Sequence, residues 1–158
     1  MTKYEKLIVK AERDGIKIIE IDFGTCKKCG KCVDNLIFIN SALSETEKYE
    51  ILLEELGHYK TTYGDISDQN IIENRKKELV ARRWGFQRGV SLVGIIQAFE
   101  HGALTAYDMA QFLGVTEKYL TECIEDYQRK YGIGYKLEQY YIRFTPRLGV
   151  YKTFNPVK

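Results

Sequence analysis

Ser44-Glu45-Thr46-Glu47-Lys48-Tyr49-Glu50-Ile51-Leu52-Leu53-Glu54-Glu55-Leu56-Gly57-His58 is the stretch on which the reading of this 158-residue chain turns. Ser44 with Glu47 three residues later is a capping box, so a helix starts here. The apolar run Ile51-Leu52-Leu53 carries that helix into Glu54-Glu55-Leu56-Gly57-His58. In the pattern H-E-x-x-H, residues i and i+4 share a helical face and chelate a metal, and the Glu at i+1 activates water. Here Glu54 stands at the first position. Glu54 and His58 are still one turn apart on one face, and Glu55 occupies the general-base position. Taken alone, the string also suits a solvated helix with two surface carboxylates. It needs support from elsewhere in the chain.

Upstream, residues 2–14 place Tyr4, Leu7, Ile8 and Ala11 at helical spacing, ended by Gly15. Residues 16–23 alternate as a strand through Ile19, Ile21 and Phe23. Residues 36–39 form a second strand. The turn-rich Cys26-Lys27-Lys28-Cys29-Gly30-Lys31-Cys32 between them suggests an antiparallel hairpin.

Downstream, residues 59–67 read as a loop with Gly64 and Asp65. Asp68 then caps a long helix to about residue 88. Ser91 caps a helix through Leu92, Ile95, Ile96 and Phe99, which Gly102 stops. Thr105 and Asp108 open a short helix to residue 113. Gly114 turns the chain into a helix over 116–131, ended by Gly132. Residues 140–144 and 150–154 read as strands joined by a turn at Pro146 and Gly149. This order of elements points to an α+β fold.

Charge balance is close, with 24 basic and 22 acidic residues. It argues against nucleic acid or an acidic membrane as a bulk partner. No apolar run approaches the ~20 residues that span a bilayer. The N-terminus opens an amphipathic pattern without the apolar core and cleavage site of a signal peptide, so a cytoplasmic location is expected. Four cysteines in that compartment read as thiols or ligands before disulfides.

A catalytic zinc site takes three protein ligands and leaves a position open. The segment Glu78-Leu79-Val80-Ala81-Arg82-Arg83-Trp84-Gly85 offers the third in Glu78. Ala81 and Gly85 lie on the Glu78 face and would let this helix approach the Glu54–His58 helix. The competing reading pairs Glu78 with Arg75 or Arg82 on its own helix.

At these residues the chain resembles the ImmA/IrrE family of metallopeptidases. That family carries H-E-x-x-H on one helix and, 20 to 35 residues on, an E-x-x-A-x-x-F-A-like segment whose Glu is the last metal ligand. Glu54 through His58 match the first element except at the first His. Glu78, Ala81, Trp84 and Gly85 match the second, with Trp for Phe and Gly for Ala. The likeness covers about residues 35–131 and is nearest to compact versions carried by phages and integrative elements.

The resemblance implies a zincin-like peptidase core over residues 1–102. Residues 103–158 would add a helix-turn-helix-like segment and a C-terminal β-hairpin packed on it, all in one compact unit. It further implies Glu54, His58 and Glu78 as ligands of Zn2+ and Glu55 as general base. The substrate or binding partner would be a helix-turn-helix repressor of a mobile element or stress regulon, cleaved by a metal-dependent endopeptidase. Two carboxylates and one imidazole harden the donor set, making Mn2+ or another divalent ion an alternative to Zn2+. They also nearly neutralise the ion and weaken its pull on water. Tyr59, Tyr63, Arg82 and His101 are candidates for stabilising an oxyanion. Two other functions fit the same fold: a non-catalytic anti-repressor or adaptor, and a DNA-binding regulator using residues 105–130.

Cys26, Cys29 and Cys32 have the two-residue spacing of a soft-metal loop, with Cys123 as a distant fourth ligand for a second, structural metal. Lys27, Lys28 and Lys31 would favour their thiolates. A cysteine-bearing hairpin tip without metal is the simpler reading. The segment from Met109 to Cys123 fits a helix-turn-helix. Its second helix, however, offers Glu117, Glu122, Glu125 and Asp126, which phosphates would repel. The tyrosines of the tail can stack bases or line a peptide cleft, although half-burial on a small sheet is their commoner role.

Overall fold

The computed structural model describes residues 1–24, 30–61 and 72–153. The chain divides into two compact units, Met1–Gly89 and Val90–Lys158, where the sequence suggested one unit with a boundary after residue 102. That boundary lies inside the second unit. Among the described residues no helix is long and apolar enough to cross a membrane.

In the first unit, α1 (Lys3–Arg13) opens on a capping box between Thr2 and Glu5 and buries Tyr4 and Ala11. Gly15 follows at φ +82°, a conformation L side chains rarely adopt. A three-stranded sheet comes next, with β1 (Lys17–Ile21), β2 (Gly30–Val33) and β3 (Leu36–Asn40) in the spatial order β1-β3-β2. β1 pairs parallel with β3, from Lys17 opposite Leu36 to Ile21 opposite Asn40. The antiparallel hairpin expected between these two strands is therefore corrected. The segment containing Cys32 is itself a strand, antiparallel to β3, and Asp34-Asn35 is the two-residue turn between them. Asp34 takes φ 52°, a left-handed conformation that Asp tolerates. β3 thus slots between β1 and β2, and β2 forms an edge.

α2 (Glu45–Thr61) packs on β2 and β3, burying Leu52, Leu53 and Leu56 with Ile37 and Ile39 of β3. Its capping box is formed as expected: the Ser44 N–H donates to Glu47 at 3.0 Å, and the Glu47 N–H to the Ser44 hydroxyl at 3.2 Å. The helix continues through Tyr59, Lys60 and Thr61, which the sequence had assigned to a loop. α3 (Ile72–Gly89) lies against α2. The capping Asp68 expected for it falls outside the described residues.

The second unit has three helices, α4 (Leu92–Glu100), α5 (Ala106–Leu113) and α6 (Glu117–Tyr131). Ser91, Thr105 and Thr116 cap them, each accepting a backbone N–H from the first turn. Gly114, at φ +70°, makes the left-handed turn between α5 and α6 that the helix-turn-helix reading required. α4 packs on α5 and on the C-terminal sheet, which is why it groups with this unit. The hairpin of β5 (Tyr140–Arg143) and β6 (Gly149–Lys152) is joined by β4 (Gly134–Leu137), which sequence periodicity missed. The turn at Gly132 and the two-residue turn Glu138-Gln139 leave β4 only four residues, too short for alternation to register. Asp126 is 3% exposed, not on the outer face of α6 as its spacing suggested.

Candidate metal centre

The site is built where α2 and α3 touch. A Cβ on Gly57 would collide with the backbone of Ala81, and one on Gly85 would come within 3.2 Å of the Leu53 carbonyl. Gly57 opposite Ala81 and Leu53 opposite Gly85 make the two helices antiparallel. They approach closely because glycine stands at each crossing. Ala81 and Gly85 were legible as a small-residue face. Gly57 was not, since it fills a free position of the motif. Its signal was a glycine inside an otherwise strong helix, which costs about 1 kcal/mol unless packing demands it.

This approach brings Glu54, His58 and Glu78 together. One ligand atom from each lies within 4.8 Å of the others, and each residue is half-buried. His58 Nε2 is 3.2 Å from a Glu78 carboxylate oxygen. Two carboxylate oxygens and an imidazole nitrogen converging in one cleft are a donor set that suits a divalent cation. It is the sole such cluster among the described residues.

The electrostatics agree with that geometry. Burial pushes the Glu54 carboxyl above the usual carboxylate range, Glu78 adds like-charge repulsion, and the Arg82 guanidinium pulls the other way. Burial works against a charged His58. Its bond to Glu78 and the fields of Glu78, Glu55 and Glu54 outweigh that, so its pKa is raised. The same bond from His58 holds Glu78 low. A divalent ion would relieve the repulsion between the two carboxylates. Arg82, one turn beyond Glu78, acts on both, with its guanidinium 5.6 Å from the Phe86 ring centre.

Glu55 lies beside the cluster, towards the edge strand β2. A Cβ on Gly30 would stand 3.1 Å from Glu55 Cγ, and the Glu55 charge acts on both His58 and Cys32. Gly30 thus lets β2 lie close against the helix at the general-base position. Gly30, one of the turn formers of the 26–32 segment by sequence, is the first residue of β2.

The other candidates separate. Tyr59 is half-buried on α2, and Tyr63 falls outside the described residues. His101 caps α4, its Nδ1 3.3 Å from the Gln97 carbonyl, and its ring packs on Phe112. Cys26 and Cys29 also fall outside the described residues. Cys32 sits on β2, and Cys123 is fully buried in the second unit. Burial, with Glu55 and Asp34, pushes the Cys32 thiol up to about 11.

Comparison with curated proteins and with solved structures gives no match. A family model described as the IrrE N-terminal-like domain matches residues 11–124, which include β1 to β3, the α2–α3 site and most of α6. With residues 11–124, well over half of its length, under that model, the chain belongs to the ImmA/IrrE-type metallopeptidases.

Proposed function

We propose that the protein is a metal-dependent endopeptidase whose substrate is a helix-turn-helix repressor of a mobile element or stress regulon. Glu54, His58 and Glu78 would hold the ion, Zn2+ or Mn2+. When bound, the ion supplies a Lewis acid that polarises a peptide carbonyl. Glu55 takes the proton of the attacking water and returns it to the leaving amine. Its field at His58 and its contact with the β2 edge support that role. Arg82 balances the two carboxylates. The observation that carries this reading is the convergence of residues 54, 58 and 78 across two helices, with Glu55 beside them.

The experiment is co-expression of the full chain with a helix-turn-helix repressor, followed by a search for repressor fragments. Glu55→Gln should slow fragment formation by roughly 10^2- to 10^4-fold. A second reading, a non-catalytic adaptor of the same fold, is favoured by one feature. The His58–Glu78 pair, with Arg82, already keeps Glu78 ionised below its usual range. Repressor bound and released intact, equally by the wild type and by Glu55→Gln, would establish the adaptor instead.

A further inference from the structure

The C-terminal sheet of the second unit has two unlike faces. On one, Ile142 is fully buried and Val150 nearly so, with Tyr135 opposite Ile142. The other face is set by register. Lys136, Tyr141 and Tyr151 lie side by side across the three strands, and Gly134, Arg143 and Gly149 form the next row. Lys136 is exposed and Tyr151 is 47% exposed.

The glycines determine how the tyrosines lie. A Cβ on Gly134 would collide with the end of the Tyr141 ring, and one on Gly149 would meet the Tyr151 ring at 3.1 Å. Both rings therefore reach along the sheet over a glycine, where a Cβ would block them. The Arg143 guanidinium lies 5.3 Å from the Tyr151 ring centre, and its Nε donates to the Arg147 carbonyl. Charge is concentrated here. Between residues 128 and 153 six Lys or Arg stand against one acidic residue, Glu138, an asymmetry hidden by the near-neutral balance of the whole chain.

We propose that this outer face, Lys136, Tyr141, Arg143 and Tyr151, binds single-stranded nucleic acid. Bases stack on the two tyrosine rings, and the two cations meet the adjoining phosphates. Flat aromatic faces flanked by cations are what sequence-tolerant single-strand binding uses. An acidic peptide would satisfy the cations but leave the ring faces without a use. In a duplex the bases are stacked on one another and offer the tyrosine rings no free face. The proposed face uses none of the residues assigned to the metal site.

The test is fluorescence anisotropy of a labelled oligothymidine of about twelve nucleotides titrated with the full chain, within the usual site size. Binding should weaken with salt at a log–log slope of about −1.4 for two phosphate contacts, falling to about −0.7 in Lys136→Ala. Tyr151→Ala should lose roughly tenfold or more in affinity, while Tyr151→Phe stays close to wild type. Thermal melts identify any variant that fails to fold. In that case Lys136→Glu, at an exposed position, decides, with loss of binding expected. Four results would overturn the proposal: no binding at low salt up to about 1 mM chain, the middle of the range expected of two stacked bases; equal or tighter binding of a duplex; unchanged affinity in Tyr151→Ala or, where that variant is unfolded, in Lys136→Glu; or preferential binding of a polyglutamate peptide.

Discussion

Gly57→Ala probes the crossing on which the site depends. The added methyl would overlap the Ala81 carbonyl on α3, and both partners are main chain on packed helices, so no side-chain end can swing aside. To restore a contact near 3.5 Å the helices must part by more than about 1 Å. Overpacking of this kind costs about 1 to 3 kcal/mol, and a clash against backbone belongs at the upper end. Removing glycine from a helix interior returns roughly 1 kcal/mol. The net expectation is about 2 kcal/mol of destabilisation, or a melting temperature lower by about 5 to 10 °C.

The same separation pulls Glu78 from His58. Metal–ligand distances tolerate only about 0.2 Å, so one ligand is lost and affinity falls by more than about tenfold. Thermal melts of the metal-free chain and isothermal titration with Zn2+ and Mn2+ measure both effects. Gly85→Ala is the graded control, because its methyl would meet Leu53 at 3.2 Å and demands a shift of only tenths of an ångström. An unchanged melting temperature and unchanged metal affinity in Gly57→Ala would refute the close crossing and the site built on it.

Other outcomes follow from the donor set. Glu54→His replaces a hard carboxylate with an imidazole, so the ratio of Zn2+ to Mn2+ affinity should rise by about tenfold or more in competition titrations. An unchanged ratio would remove Glu54 from the ligand set. Metal affinity should also depend on pH with a defined sign. His58 binds metal only when neutral, and in the ion-free chain its pKa is raised above 6.5, so affinity should be flat in alkali and begin to fall above pH 6.5 on acidification. The raised carboxyl of Glu54 adds to that loss at lower pH, whereas the lowered Glu78 does not compete near neutrality. Affinity that is level from about pH 8 to about pH 6, across the ordinary imidazole range, would contradict the assignment of His58.

Much of the site was legible because it depends on local spacing. The capping box at Ser44 and Glu47 fixes where α2 starts, and the one-turn interval of Glu54 and His58 fixes a shared face. Placing Glu78 needed a contact between two helices, for which Ala81 and Gly85 were the clue and Gly57 the missing half. The N-terminal sheet was misread for a different reason. Strand order is a long-range property, and Gly30-Lys31-Cys32-Val33 is too short and too polar to announce a strand. Its identity comes from pairing with Leu36 to Ile39. β4 escaped notice in the same way, and Asp126 is buried although its charge suggested solvent.

The most direct measurement is the metal content of the full chain after equilibration with Zn2+ or Mn2+ and removal of free ion, for the wild type and for Glu78→Gln. About one ion per wild-type chain, lost in Glu78→Gln, is the expected result. A wild-type chain that holds no ion at free concentrations up to about 1 mM, or a Glu78→Gln chain that holds as much as wild type, would contradict the two-helix metal centre.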